Sequence, residues 1–371
     1  MSGRRRRRSS ISFSAGGSLP LPEEVLAEIL ARLPVKSLLR FRCVSKSWRS
    51  LISSPHFIAA HLSLSLSLSL SCPRHHLIST ILLPSYTLKH CPLPPLLSGH
   101  PAAAVDFDYP MKSPNNSVRV VGSCNGLVCI AVNGRHFFLW NPSTRMSRKL
   151  PDADDRIKNG LFVTKYGFGF DGRDYKVVGI LSGFCDSGRS YETMVKVYSL
   201  NTNSWTRIDA AFDEGLPFDD VGKFVNGSLH WGRRVGFDSR WDIVSFDLAR
   251  ESSGIVAQPR YVEGGFLPSL GVLMNCLCVV CDFPKISAEV WMMRKYGVRD
   301  SWEKVVSIPY MADPWTPLWL GSSGEVLMAY GSCFMVYDPV DGRFVSPTIA
   351  NFGTFLEANV YVESLVSLAP A

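Results

Sequence analysis

The chain has 371 residues, 46% of them hydrophobic, which exceeds one typical domain and suffices for a sizeable core. Its formal charge is +7, but Arg4 to Arg8 hold five of those charges and leave +2 for everything else. That excludes a basic domain of the kind that tracks phosphates, so nucleic acid is not expected as a partner.

Residues 1–18 read as a disordered, solvated Arg-rich tail, for which nuclear import or loose RNA contact is the functional option. Ile11 to Gly17 is Ser- and Gly-rich and lacks the ~7–15-residue apolar core of a secretory signal. No later stretch reaches the ~18 apolar residues of a membrane span. The expected location is therefore the cytoplasm, the nucleus or both, with no membrane partner. Ten cysteines without framework spacing suit a reduced compartment.

Residues 19–61 predict three short amphipathic helices. Pro22 opens the first, with Glu23 and Glu24 at its positive end and Val25, Leu26, Ile29, Leu30 and Leu33 along one face. Pro34 ends it and opens the second, which carries Leu38, Leu39 and Phe41; the third runs through Val44, Trp48, Leu51 and Ile52. A unit of roughly 40 residues buries too little surface to be stable alone, so something must cover part of it. Residues 62–76 follow as a low-complexity linker. The run Leu62 to Ser71 alternates Leu and Ser, which suits a strand with one apolar face or a loose segment; the linker reading is preferred.

Residues 77–368 predict an all-β domain of short strands and tight turns. One unit recurs as Phe137 to Pro142, Val195 to Asn201, Ile243 to Asp247, Glu289 to Trp291 and Cys333 to Pro339: a strand, an aromatic, then a polar turn. Between the copies lie glycine turns such as Asn125-Gly126, Asp171-Gly172 and Asn226-Gly227, which signal hairpins. Four strands per ~40–50 residues point to propeller blades. Five such units fit between residues 119 and 348. Leu77 to Leu83, Val105 to Tyr109 and Asn359 to Leu368 could combine into a sixth, which would remove the free edges. An open β-sandwich is the alternative.

No catalytic set assembles. Cys276, Cys278 and Cys281 lack the second close pair that zinc sites commonly use, and no cofactor or metal site is expected. Loops with Arg, Tyr and Trp are the places to seek a bound protein. On that logic Arg189, Tyr191, Arg233, Arg234, Trp241 and Trp315 are the candidate substrate-binding residues.

The N-terminal phrases resemble an F-box: Leu21-Pro22, Glu28-Ile29-Leu30, Leu33 to Leu38, Arg40 to Val44, Ser45 to Trp48 and Leu51-Ile52. The β domain resembles the kelch-like F-box-associated domain of a large plant family, through SCNGLVC, LWNPSTR, YGFGFDGRDYKVV, VKVYSLNTNSWT, FVNGSLHW, SFDL and VYVESLVSL. The resemblance implies an α+β multidomain chain, a three-helix F-box followed by a propeller of about six blades. It also implies a non-catalytic substrate receptor of a Skp–cullin–F-box ubiquitin ligase. Leu21, Pro22, Val25, Ile29, Leu30, Leu33, Pro34, Leu38, Val44 and Trp48 would then supply the Skp-type adaptor interface and the packing behind it, two roles the sequence does not separate. A protein substrate, unknown in kind, would bind the β domain, and the adaptor would link the chain to a cullin–RING ligase. A nuclear scaffold and a carbohydrate-binding propeller unconnected with ubiquitination stay open as alternatives.

Overall fold

The computed structural model describes residues 22–67, 74–152, 162–184, 191–208, 217–235, 240–261 and 265–368. The arginine tail, Leu21 and Arg189 lie outside them. Helix α1 (Glu23–Ala31) follows Pro22, and α2 (Val35–Phe41) follows Pro34. Each proline supplies the carbonyl that opens the next helix, as in the 3.0 Å bond from the Leu26 N–H to the Pro22 oxygen. Helix α3 (Lys46–Ser53) is capped by Ser45, whose hydroxyl accepts the Trp48 N–H at 3.1 Å.

A fourth helix, α4 (Pro55–Ser67), follows directly, so residues 62–67 are helical and the expected linker is shorter than the sequence implied. The Leu–Ser alternation has no helical periodicity of its own. What holds it in a helix is the pair His61 and Ser65, one turn apart and both buried, on the side that meets the β domain.

The chain then enters β1 (His75–Leu83), β2 (Thr87–Pro92), α5 (Leu93–Leu97), β3 (Ala102–Ala103) and β4 (Val105–Asp106). Five antiparallel four-stranded blades come next. The first is β5 (Val118–Cys124), β6 (Leu127–Val132), β7 (His136–Asn141) and β8 (Met146–Lys149). The second is β9 (Phe162–Phe170), β10 (Tyr175–Phe184), β11 (Tyr191–Ser199) and β12 (Ser204–Ile208). The third is β13 (Lys223–Val225), β14 (Ser228–Arg234), β15 (Trp241–Asp247) and β16 (Ser252–Val256). The fourth is β17 (Leu267–Leu273), β18 (Cys276–Phe283), β19 (Ser287–Met293) and β20 (Trp302–Pro309). The fifth is β21 (Trp315–Leu320), β22 (Val326–Tyr330), β23 (Cys333–Asp338) and β24 (Arg343–Val345). After β25 (Ile349–Ala350), which pairs in parallel with β3, the chain ends in β26 (Thr354–Val362).

The sixth blade is composite, in the order β26-β1-β2-β4. The C-terminal strand is its innermost member and the N-terminal segment supplies the other three. The innermost strands β5, β9, β13, β17, β21 and β26 each touch the next, and β26 returns to β5, so the ring is closed. The recurring aromatic–polar motif marks the turn between a blade's third and fourth strands. Asn141, Asp247 and Asp338 each accept two backbone N–H groups there, from Ser143 and Thr144, from Ala249 and Arg250, and from Val340 and Asp341.

Strand direction sorts the loops between two faces. Turns joining first to second and third to fourth strands lie at the end where β1 starts and β26 finishes. The other turns and the blade-to-blade connections lie at the opposite, far face. The helical unit sits at the first end. Leu365, just past β26, joins Leu30, Ala31, Val35, Leu38, Ile52 and Phe57 in one core, while Ile58 and Leu62 of α4 pack against the cluster containing Val366 and Leu368.

Arg74 locks this seam. It is 3% exposed, and its guanidinium donates to the carbonyls of Ala31 (2.9 Å), Leu33 (3.2 Å) and His61 (3.4 Å) and to the Ser65 hydroxyl (2.6 Å). Ala31 and Leu33 lie at the C-terminal end of α1, where the carbonyls lack intrahelical partners and a cation is favoured. The Arg74 carbonyl in turn accepts the Glu363 N–H at 2.9 Å. The tail is also held from the first blade, since the Asn141 amide donates to the carbonyls of Ser364 (3.2 Å) and Val366 (2.8 Å).

Arg74→Lys cannot span three carbonyls and a hydroxyl with one ammonium. It is expected to lower unfolding free energy by about 1–3 kcal/mol, measured by urea denaturation. A pH effect follows from the buried histidines. His230 is fully buried between the Lys223 carbonyl (3.0 Å) and the Tyr296 hydroxyl (2.8 Å), and burial lowers its pKa to about 4. The unfolded chain therefore binds the extra proton first, and stability falls as pH drops from about 6.5 towards 4. His230→Gln is expected to flatten the stability–pH slope in that window by up to about 1.4 kcal/mol per pH unit.

Candidate functional site

The helical unit has two apolar sides, and the propeller tail covers one. On the other, Val25 (43% exposed), Ile29 (46%) and Val44 (62%) remain open to solvent, with Pro22 and Pro34 also exposed beside them. Val25 and Ile29 are one turn apart on α1, which makes a strip, and Val44 follows α2. Exposure sorts these F-box residues into open and buried groups. Leu30 and Leu38 are core, at 1% and 0% exposure. Leu33 and Trp48 are half-buried against that core, Trp48 edge-on to Phe41 with ring centroids 5.4 Å apart.

The far face of the propeller is the second candidate surface. Its six sequence-derived residues fare unevenly. Arg234 is exposed and Trp315 half-buried, both at far-face ends of strands. Tyr191 starts β11 at that face. Arg233 is instead buried, its guanidinium 3.4 Å from the Asp242 carboxylate. Trp241, 7% exposed, packs between the third and fourth blades with Ile243, Leu277 and Val279. These two are corrections: both support blades and neither offers a binding surface, because Arg233 is tied to Asp242 across the strands and Trp241 lies in the core between two blades.

The sequence reading missed the exposed apolar residues of that face. Leu83, Leu267, Ile286, Tyr310 and Leu356 are all exposed, at far-face turns or strand ends of the fourth and sixth blades. Apolar residues within predicted strands read as core, and only the closed ring shows which strand ends project. Towards the third, second and first blades the rim changes character. Asp220 holds Lys165 at 2.7 Å and Arg119 at 3.6 Å, and Arg119 reaches Glu357 of β26 at 3.3 Å. The hydrogen bond from Lys165 is the main reason the Asp220 carboxyl titrates below its usual range. One part of the mouth is thus a self-neutralised ion-pair belt and the other is apolar.

The cysteine run does not converge. Cys278 packs in the cluster between the fourth and fifth blades and Cys281 in the one between the third and fourth, and burial pushes both thiols up to about 12. Among the described residues no group of three or more His, Cys, Asp or Glu could hold a metal ion, and no helix is long and apolar enough to cross a membrane.

The F-box domain model matches residues 19–59 and the F-box associated beta propeller domain model matches residues 102–338. The chain is 33% identical over 354 residues to an F-box/kelch-repeat protein of Arabidopsis thaliana, covering 94% of this chain and 95% of that protein. It is 34% identical over 312 residues to the Arabidopsis F-box protein CPR1, covering 78% and 73%. Among solved structures, an oligogalacturonate lyase in complex with manganese aligns over 74% of this chain and 78% of its own at a TM-score of 0.42 and 9% identity, too distant to bear on function. The chain belongs to the F-box proteins that carry an F-box-associated β-propeller. The helical unit is the F-box, and the six-bladed ring is the associated domain.

Val25→Asp and Ile29→Asp are expected to change unfolding free energy by less than about 0.5 kcal/mol, because both side chains already face water. Leu38→Asp, at the centre of the shared core, should instead unfold the F-box and lose its helical signal in circular dichroism.

Proposed function

We propose that this chain is the substrate-recognition subunit of a Skp–cullin–F-box ubiquitin ligase, and that it contributes no bond-making chemistry of its own. The observation that carries this reading is the strip of Val25, Ile29 and Val44. The propeller tail has closed the other side of the F-box core, so this strip is what the fold leaves for a partner. Aliphatic side chains ringed by polar residues at the end of a small helical unit suit a hydrophobic anchor for another protein. A Skp-type adaptor is the partner that the F-box family membership supports, with a cullin–RING assembly behind it.

The far face of the propeller is then the substrate platform. It points away from the F-box, and its rim of Leu267, Ile286, Tyr310 and Leu356 beside the Asp220 ion-pair belt offers apolar anchors next to a polar border. Work of this kind is proximity: a bound protein meets the transfer machinery at raised effective concentration. The Arg74 seam keeps the separation between adaptor and substrate constant, which such a role requires.

Binding to a purified Skp-type adaptor tests the reading. The folded full chain is expected to bind tightly, and Val25→Asp/Ile29→Asp to weaken binding by about thirtyfold or more, the loss of a hot spot worth ~2 kcal/mol. Failure of the folded wild-type chain to bind, or equal binding by the double variant, overturns it.

A further inference from the structure

A channel of about 340 Å³ runs along the propeller axis, walled by the innermost strands of all six blades and, at the F-box end, by Leu66 of α4 and by His75. At ~30 Å³ per water it has room for about eleven, which lies at the low end of the ~300–1,000 Å³ span of small-molecule sites. Much of the wall is apolar, through Phe224, Val272, Leu318, Trp319 and Val360.

The charged groups of the wall are one-sided. Lys223 is its single Lys or Arg, and no Asp or Glu belongs to it. Among the described residues no carboxylate pairs with the Lys223 ammonium. Asp219 feels its charge from outside the wall, but burial raises that carboxyl's pKa and its oxygen is engaged by the Gly232 N–H at 2.7 Å. A half-buried ammonium with no direct ion pair beside an apolar cavity favours an anion in that cavity.

His75 closes the F-box end of that wall. It is 8% exposed, its ring lies 4.9 Å from that of Trp319, and its Nδ1 has no hydrogen-bond partner. Burial also keeps the ring neutral at ordinary pH, with a pKa of about 4, so it adds no charge to the wall.

We propose that the propeller channel is a binding site for a small organic molecule that carries one carboxylate or phosphate group on an apolar body. Lys223 meets the anionic group, and the aromatic and aliphatic wall holds the body. The site does not depend on the ligase reading, since neither the adaptor strip nor the far-face rim contributes to it.

Isothermal titration calorimetry on the full chain tests this with three probes of one shape: benzoate, phenyl phosphate and the neutral benzamide. Both anions are expected to bind saturably and to compete for one site, and the tighter of the two identifies the anionic group. Benzamide should bind about tenfold more weakly than benzoate, the size of one hydrogen bond to a charged group. Lys223→Met should weaken benzoate by a similar factor, while Arg250→Met, on an exposed turn, should leave it unchanged. The comparison of benzoate with benzamide is made on the wild-type chain and needs no variant to fold. Equal affinity for benzoate and benzamide, undiminished benzoate binding by a folded Lys223→Met chain, or no saturable heat from either anion overturns the proposal.

Discussion

One buried guanidinium fixes how the two halves of this molecule are joined. Arg74 sits between them with its donors spent on the C-terminal end of α1 and on His61 and Ser65 of α4, while its own carbonyl holds the start of the C-terminal tail. A cation buried this deeply is tolerated because it meets carbonyl oxygens at a helix C-terminus, where the backbone already offers negative potential. Glu363 adds a longer-range attraction, and Arg74 in turn restrains the rise in that carboxyl's pKa caused by burial. Without such a joint, an F-box of this size would be marginal and free to swing.

The joint also explains the division of labour among apolar residues. A three-helix unit has more apolar surface than it can close on itself. Here Phe57 from α4 and Leu365 from the far end of the chain close one side, and the side left over is narrow and confined to Val25, Ile29 and Val44. The propeller obeys the same economy. Its sixth blade takes three strands from before the repeats and one from after them, so no innermost strand is left with an unpaired neighbour.

The sequence made the repeat architecture legible because turn chemistry is local. Asn125-Gly126 and Asn226-Gly227 both adopt the left-handed conformation at each residue that a tight hairpin demands, and the pairs announce themselves. The same turn in the fourth blade is Met274-Asn275, with both residues at positive φ, and without a glycine its lone asparagine is a far weaker signal. Residues 62–67 misled for a related reason. Their period-two pattern speaks for a strand, and the helix they form is held by Arg74, whose contacts are tertiary and invisible to any window on the chain. Trp241 and Arg233 failed as surface candidates because residue type near a loop does not say which way a strand end turns. The F-box itself was plain, but which of its apolar residues face outward became clear only once Leu365 was seen in its core.

The position of Leu365 has a consequence for how the protein is made. The ribosome releases the F-box first, yet the last piece of its hydrophobic core is synthesised about three hundred residues later, directly after the strand that closes the ring. Until Leu365 has been made, the F-box helices lack their final packing partner and the propeller lacks its seal. Products that stop before Leu365 therefore lack both, and a finished F-box core depends on synthesis through the strand that closes the ring.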